Sequence, residues 1–293
     1  MSNHKAGFVS IVGKPNVGKS TLMNQLVGER LSIITSKAQT TRHRIMGIIS
    51  GDDFQIVYSD TPGVIKPQYK LQESMMDFVK ESLEDADVVL FVTDINEKFD
   101  ENDVIQRIAN LKLPVILIIN KIDLANQETV VKKIQEWQEK LNPVEIVPIS
   151  ALHKFNVEHI LELILNHIPE HDAFFSKDEL TDKPQRFFVS EIIREKILMN
   201  YEQEIPYACE VIVHTFKETK DLIRIGADII VERKSQKAIV IGKQGQALKK
   251  VGTQARKEME TFFQKKVFLE QYVKVDPDWR KTDSKLKRFG YMS

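Results

Sequence analysis

Two glycines, a lysine and a serine at fixed spacing make residues 13–20 (GKPNVGKS) the segment of this chain with the clearest chemistry. A glycine-rich turn lets successive backbone N–H groups converge on a phosphate, and a helix that begins at its end adds a positive dipole. In this pattern Lys19 bridges the β- and γ-phosphates and the Ser20 hydroxyl holds Mg²⁺. The segment predicts a site for a nucleoside triphosphate. The phosphate-site candidates are Gly13, Lys14, Pro15, Asn16, Val17, Gly18, Lys19, Ser20 and Thr21.

Residues 60–63 (DTPG) follow another apolar run and could complete the Mg²⁺ site. The carboxylate of Asp60 can hold the Mg²⁺ shell, and the N–H of Gly63 can contact a γ-phosphate. Thr61 and Pro62 lie between them and belong to the same predicted site. Taken alone, the segment could also be an ordinary Pro-Gly turn.

Residues 120–123 (NKID) predict selectivity for guanine. The carboxylate of Asp123 can accept hydrogen bonds from N1 and N2 of guanine, which adenine cannot supply, and the stem of Lys121 can pack along the base. Asn120 belongs to the same segment. Without the phosphate loop before it, the tetrapeptide could be a helix N-cap. The nucleotide predicted from this segment is GTP.

Two further segments would close the site. Residues 150–152 are predicted to close the base pocket through their backbone N–H groups; they are Ser150, Ala151 and Leu152. In residues 37–44, one threonine could complete the Mg²⁺ shell while the γ-phosphate is present. Thr41 is favoured over Thr40, and the sequence also allows both simply to enter the next strand.

Short apolar runs alternate with helical patterns up to about residue 168, as in a parallel sheet covered by helices. Strands are predicted over residues 8–12, 44–49, 54–59, 88–93, 115–119 and 145–148. Helices are predicted over residues 19–27, 71–84, 101–110, 129–141 and 157–167. The fold class is α/β, with a mostly parallel six-stranded sheet and helices on both faces. The segments at residues 13–20, 60–63, 120–123 and 150–152 follow the carboxyl ends of strands, where open α/β sheets bind ligands.

At 293 residues the chain exceeds the usual size of one domain, and its composition changes near residue 170. Residues 1–168 are predicted as the nucleotide-binding domain, 169–185 as a polar linker bracketed by prolines, and 186–293 as a second domain. The net charge is −6 over residues 1–200 and +6 over residues 201–293. From residue 233 onward, 16 basic and 6 acidic side chains give +10. An anionic partner is therefore expected to bind the second domain.

The single cysteine, Cys209, excludes an intramolecular disulfide and suits a reducing cytosol. The N-terminus is too short and polar for a signal peptide, and no apolar run approaches the roughly 18 residues of a membrane span. These features predict a soluble cytoplasmic protein without a transmembrane segment. They leave open an association with the inner face of the cell membrane.

The second domain contains a G-x-x-G turn at residues 242–245. Because neither glycine carries a side chain, a nucleic-acid backbone can approach closely. The predicted elements around it are a helix over residues 186–199, strands over 209–215 and 222–232, helices across 246–265, and a strand over 267–275. Basic side chains near the turn would bind phosphates in a salt-dependent manner. The RNA-binding candidates are Ile241, Gly242, Lys243, Gln244, Gly245, Lys249, Lys250, Arg256 and Lys257.

In their order along the chain, the segments of the first domain resemble those of the translation-factor-related GTPases, and residues 37–44 resemble the Era family in particular. Residues 239–256 resemble the type II KH domain of that family, and residues 190–196 resemble its opening helix. The resemblance covers essentially the whole chain. It implies a P-loop GTPase domain followed by a smaller α+β KH domain. It also implies a GTP- and GDP-binding switch that binds 16S rRNA near its 3′ end and assists assembly of the 30S ribosomal subunit.

The catalytic candidates are Lys19, Thr41, Gly63 and Asn16. Many relatives of this fold carry a water-orienting glutamine directly after the glycine of residue 63, where this chain has Val64. Slow intrinsic hydrolysis is therefore expected. The resemblance further implies that Asn16 helps to hold K⁺, although it could merely stabilise the turn. Two other functions stay open: an RNA-binding module with GTP as a structural ligand, and a cell-cycle regulator at the membrane surface.

Overall fold

The computed structural model describes residues 4–97, 108, 110 and 112–292. The chain divides into two compact units, and neither is a single stretch of sequence. The first unit comprises Met1–Ser32, Thr41–Pro67 and Met75–Asp182. The second comprises Ile33–Thr40, Gln68–Ser74 and Lys183–Ser293. The helix predicted over residues 101–110 lies outside the described residues except at positions 108 and 110.

The first unit is built on a six-stranded sheet. In chain order its elements are β1 (Lys5–Val12), α1 (Lys19–Val27), β2 (Ile45–Ser50), β3 (Phe54–Asp60), α2 (Lys70–Glu84, whose first five residues belong to the second unit), β4 (Val88–Asp94), β5 (Val115–Asn120), α3 (Gln127–Leu141), β6 (Glu145–Pro148) and α4 (Glu158–His167). The strand order is β2-β3-β1-β4-β5-β6. Only the pairing of β2 with β3 is antiparallel within this sheet, so the prediction of a mostly parallel sheet is confirmed.

Burial on both faces explains the composition of the central strands. All six residues of β5 and six of the seven in β4 are buried, and most are Val, Ile or Leu. Parallel strands covered by helices on both faces require such continuous apolar runs. Their polar ends, Asp94 and Asn120, pair with one another in register and therefore emerge side by side at one edge of the sheet.

Most of the segment that the sequence predicts as a linker packs on the first unit. Leu180 accepts a hydrogen bond from the Ile48 amide at 2.9 Å, beside a bridge between Gly47 and Thr181. The side chain of Gln55 accepts hydrogen bonds from the amides at positions 174 and 175. This segment therefore covers the outer edge of β2, which would otherwise offer unpaired backbone groups.

The second unit contains a three-stranded sheet with helices packed on it. In chain order its elements are α5 (Gln185–Asn200), α6 (Ile205–Ala208), β7 (Glu210–Glu218), β8 (Leu222–Val231), α7 (Lys234–Ile241), α8 (Gln246–Phe263), β9 (Lys266–Val275) and α9 (Asp283–Arg288). Strand β8 lies in the centre, antiparallel to β7 and parallel to β9. The core joins α5, α8 and the inner sheet face, with Val251, Ala255 and Met259 of α8 spaced four residues apart.

Three short helices of this unit escape the sequence pattern. Helix α7 lies before residues 246–265, the range over which the sequence analysis predicts helices, while α6 and α9 have no predicted counterpart. With four, eight and six residues, these helices are too short for a clear period, and packing rather than propensity forms them. Among the described residues, no helix is long and apolar enough to cross a membrane.

Candidate functional site

The phosphate loop lies between β1 and α1 as predicted. Gly18 immediately before the helix has φ 102°, and a Cβ there would lie 2.2 Å from Nδ2 of Asn120. Only glycine therefore allows this approach. Nδ2 of Asn120 donates to the carbonyl of Val17 at 2.8 Å, so the guanine segment and the phosphate loop are directly connected.

Lys19 reaches back over the loop. Its Nζ donates to the carbonyl oxygens of Gly13 at 3.0 Å and Lys14 at 2.8 Å. Burial lowers the pKa of Lys19 to about 8, against the opposing attraction of Asp60 and Glu97. A bound polyphosphate would supply the negative charge that keeps such a buried ammonium protonated.

Three oxygen-bearing side chains meet next to the loop. The Ser20 hydroxyl donates to Oδ2 of Asp60 at 2.6 Å and lies 2.8 Å from Oγ1 of Thr41. Burial raises the pKa of Asp60, with Ser20 and Lys19 opposing the shift, and its other oxygen, Oδ1, is buried without a hydrogen-bond partner in the described part of the chain. Hydroxyl and carboxylate oxygens with a spare buried acceptor fit Mg²⁺, which also needs oxygens from a bound phosphate.

The two candidate threonines have different surroundings. Oγ1 of Thr40 lies 2.6 Å from the carbonyl of Lys37 and 2.7 Å from Oγ1 of Thr35, so it makes local bonds within residues 33–40. Thr41, by contrast, lies beside Ser20. The geometry favours Thr41 as the side chain for the Mg²⁺ shell.

The segment after β3 touches the phosphate loop. A Cβ on Gly63 would lie 2.7 Å from the backbone nitrogen of Pro15, and the amide of Val64 donates to the Gly13 carbonyl at 3.0 Å. The hydroxyl of Thr61 donates a hydrogen bond to the Ile11 carbonyl at 2.7 Å, so it links this segment to β1. Glycine at 63 therefore allows the segment to approach the place expected for the γ-phosphate.

The guanine segment is arranged around Asp123, which lies in a short 3-10 turn after β5. Its Oδ1 accepts a hydrogen bond from the Ser150 hydroxyl at 2.5 Å, which orients the carboxylate. Nζ of Lys121 lies 2.6 Å from the Asn16 carbonyl and 3.0 Å from Oδ2 of Asp94. Ser150 and Lys121 thus hold the two sides of the predicted base pocket.

The segment at residues 150–152 has one backbone N–H and one hydroxyl that are bonded within the protein. The amide of Ala151 donates to Oδ1 of Asn120 at 2.9 Å, so this N–H is already bonded in this structure. Leu152 is 72% exposed. The hydroxyl of Ser150, on Asp123, is the contact that the sequence reasoning did not anticipate.

Asp94 is a site residue that the sequence analysis missed. It ends β4 next to Asn120 and pairs with Lys121 across 3.0 Å. Glu97, three residues further, pairs with Lys14 of the phosphate loop at 3.1 Å. The signal was available, because Asp94 follows the carboxyl end of a buried parallel strand just as Asp60 and Asn120 do.

In the second unit, the G-x-x-G turn connects α7 to α8 with unusual backbone geometry. Gly242 has φ 70° and ψ 179°, a combination that is essentially restricted to glycine, and a Cβ there would lie 2.6 Å from the Cβ of Ala247. Gly245 has φ 76°, and a Cβ there would meet no atom within 4 Å. The surface at Gly245 is therefore open to a ligand backbone.

A groove of about 350 Å³ runs beside the turn, lined by Gly245, Leu248, Lys249, Gly252, Thr253, Arg256, Leu269 and Gln271. Nε2 of Gln271 is buried without a hydrogen-bond partner among the described residues, which leaves a donor for a ligand. Arg256 pairs with Glu260 at 2.7 Å. Lys243, Lys249, Lys250 and Lys257 lie on the same helix and turn. In the described part of the chain none of these four has an ion pair, so their charges remain available to an anionic partner.

Together, a phosphate loop on a mostly parallel sheet and a G-x-x-G turn on a three-stranded sheet define the class: a P-loop GTPase joined to a KH domain. The family described as "50S ribosome-binding GTPase" matches residues 8–121, and the KH domain family matches residues 204–280. GTPase Era of Staphylococcus haemolyticus (strain JCSC1435) is 44% identical over 295 residues, covering 100% of this chain and 99% of that protein. The chain belongs to the Era family of GTPases, as the sequence resemblance predicts.

Two solved structures are similar over nearly the whole chain. One is Era in complex with MgGDPNP and nucleotides 1506–1542 of 16S ribosomal RNA, with TM-score 0.94 and 41% identity. The other is a single-residue variant of Aquifex aeolicus Era bound to GDP·AlF4⁻, with TM-score 0.94 and 42% identity. Each similarity covers 99% of this chain and 100% of the other. The predicted fold class, GTPase domain followed by KH domain, is confirmed.

Proposed function

We propose that this GTPase binds 16S rRNA near its 3′ end through the KH domain and assists assembly of the 30S ribosomal subunit under the control of GTP. The observation that carries the proposal is the open G-x-x-G turn, which lies beside lysines without ion pairs. The chain is also similar over nearly its whole length to the Era protein solved in complex with 16S rRNA nucleotides. A ribosomal RNA partner supports a cytoplasmic location. Membership of a GTPase family disfavours GTP as a purely structural ligand.

Different residues of the nucleotide site would bind the phosphates, Mg²⁺ and the base. Backbone amides of residues 13–18 and the ammonium of Lys19 would bind the phosphates, while Ser20, Asp60 and Thr41 would hold Mg²⁺. Mg²⁺, when bound, neutralises phosphate charge that develops during hydrolysis. Asp123, oriented by Ser150, would select guanine. GTP would then hold Thr41 in the Mg²⁺ shell, and hydrolysis would release it.

Hydrolysis relies on few side chains. Val64 cannot orient a water molecule, and its backbone amide already donates to Gly13. Positioning and charge stabilisation by Lys19 and backbone donors remain, and these suffice for slow phosphoryl transfer. We therefore expect a low intrinsic rate that a partner or a monovalent cation accelerates.

Potassium should accelerate turnover through Asn16. This residue has φ 64° in the phosphate loop, a backbone region that glycine adopts without strain. We expect kcat in K⁺ to exceed kcat in Na⁺ by about tenfold, because a cation held there adds positive charge beside the phosphates. Asn16→Gly removes the side-chain oxygen and should therefore abolish the difference. Steady-state GTP hydrolysis in matched K⁺ and Na⁺ buffers measures both; equal wild-type rates would contradict the role of Asn16.

Binding to the 3′ region of 16S rRNA should depend on the nucleotide. Fluorescence anisotropy of a labelled 37-nucleotide RNA, equal in length to the fragment in the similar complex, should give at least about tenfold tighter binding with a nonhydrolysable GTP analogue than with GDP. A shuffled RNA of the same composition is the control for sequence-independent phosphate binding. Equal affinities for both RNAs would argue against a specific rRNA partner. Equal affinities in both nucleotide states would argue against control by GTP.

A further inference from the structure

Arg194 of helix α5 is a buried cation with bonds in two directions. Its side chain is 1% exposed. Nε and Nη2 donate to the carboxylate of Glu191 at 2.8 and 2.5 Å. Nη2 also donates to the carbonyl of Thr40, and Nη1 lies 3.5 Å from the carbonyl of Gln39. One guanidinium thus joins a carboxylate of α5 to two consecutive carbonyls of residues 33–40.

The charge of Arg194 is firmly held. Burial works against the cation, but the carboxylate of Glu191 outweighs it and raises the pKa of Arg194. The guanidinium has five donors in a rigid fork, and a lysine ammonium could not reach the carboxylate and both carbonyls at once. The arrangement therefore depends on arginine and not merely on a positive charge.

Other contacts hold the same segment to the same helix. The amide of Ile34 donates to Oε1 of Glu195 at 3.3 Å, and Nζ of Lys37 donates to the carbonyl of Tyr201 just past the end of α5. Residues 33–40 accordingly belong to the second unit, whereas Thr41, next in the chain, belongs to the first. The carbonyl that Arg194 binds at residue 40 is part of the peptide group that leads into Thr41.

We propose that Arg194 is a positioning residue for GTP hydrolysis: by fixing the carbonyls of Gln39 and Thr40, it sets where Thr41 presents its hydroxyl to Ser20 and the Mg²⁺ shell. The proposal rests on the proposed role of Thr41 in that shell. Displacements of about 1 Å in such a constellation can cost up to roughly a hundredfold in rate.

Arg194→Lys is the central test, made in the full-length chain. It keeps a positive charge opposite Glu191 but removes the fork. The matched control is Asn200→Ala on the same helix, which deletes a side chain that donates to the Lys196 carbonyl at 2.8 Å and to Gln254 at 2.6 Å without touching residues 39 and 40. If Arg194→Lys does not fold, the pair Glu191→Leu with Arg194→Met replaces it, because that pair removes both charges of the Glu191–Arg194 ion pair together.

Two measurements separate positioning from a structural role. In the nucleotide-free protein, hydrogen exchange of the amides at residues 39–42 should be about tenfold faster in Arg194→Lys than in wild type or Asn200→Ala. With Mg-GTP, kcat should fall about tenfold while KM and GDP affinity stay within about twofold. Unchanged exchange, or an unchanged kcat with faster exchange, would overturn the proposal.

Combining Arg194→Lys with Thr41→Ala tests whether Arg194 affects hydrolysis through Thr41. If Arg194 acts through Thr41, Arg194→Lys should lower kcat no further in a Thr41→Ala background, whereas an equal tenfold loss there would show an independent action. A Thr41→Ala variant with wild-type kcat and Mg²⁺ dependence would instead refute the role of Thr41 in the proposed function. Faster exchange in Arg194→Lys would then still show that Arg194 holds the segment.

Discussion

Gly245→Asp should weaken RNA binding by at least about a hundredfold and leave the affinities for GTP and GDP within about twofold. The backbone at Gly245 has φ 76° and ψ 7°, a region that aspartate tolerates better than most residues, and a Cβ there meets no atom within 4 Å. A carboxylate at the N-terminus of the 18-residue helix α8 also suits its dipole. The fold should survive, while the new charge repels the RNA phosphates. Filter binding of the 3′ rRNA fragment and fluorescence titration of nucleotides measure the two effects.

Gly245→Asn provides the matched control. It has nearly the same shape and the same tolerance of the backbone angles without the charge, so its RNA affinity should fall by less than about tenfold. Equal losses in both variants would show that bulk, not charge, blocks the turn. Loss of nucleotide binding in Gly245→Asp would contradict the assignment of nucleotide binding to the first domain and RNA binding to the second.

Asp123→Asn should change the base that the nucleotide site prefers. The carboxylate of Asp123 can accept from N1 and N2 of guanine, and an amide there would face the N2 amino group with a donor instead. We expect GTP affinity to fall by roughly a thousandfold, since a site built to bond a polar group discriminates strongly when that bond is lost. Xanthosine triphosphate carries an oxygen in place of N2 and should bind the variant more tightly than GTP does. Competition between the two nucleotides measures the switch.

The control for this exchange is Ser150→Ala. It removes the hydroxyl that donates to Asp123 at 2.5 Å but keeps the carboxylate. The affinity for GTP should therefore fall moderately, and the affinity for xanthosine triphosphate should not rise. RNA affinity in the absence of nucleotide should be unchanged in both variants. If Asp123→Asn bound GTP as wild type does, the base would have to be recognised elsewhere.

The proximity of the candidate nucleotide-site residues could be predicted from sequence, because most of them follow the carboxyl ends of buried strands. Register then brings them together: Ile11 pairs with Asp60, and Asp94 pairs with Asn120. The sequence motifs show which residues follow each strand, and the parallel sheet brings the ends of these strands to one edge. Asp94 belonged to the same pattern and was missed only because it lies in no familiar motif.

Arg194 was beyond prediction for a physical reason. Residues 190–196 include charged side chains that suggest a solvent-exposed face, yet Glu191, Arg194, Glu195 and Lys196 are all buried. Arg194 and Glu195 have partners more than 150 positions away in the chain, Thr40 and Ile34, and local periodicity contains no information about such partners. For the same reason, sequence favours Thr41 over Thr40 without settling the choice, because their different bonds arise only after folding.

The two units also bear on how such a chain can be divided or recombined. The backbone passes between them after Ser32, Thr40, Pro67, Ser74 and Asp182. A single cut after residue 182 would leave residues 33–40 on a fragment without helix α5, and the other fragment without the segments that pack on it. The GTPase and the RNA-binding domain are consequently not interchangeable cassettes. Grafting a different RNA-binding domain onto this GTPase would require residues 33–40 and 68–74 to be transplanted with it.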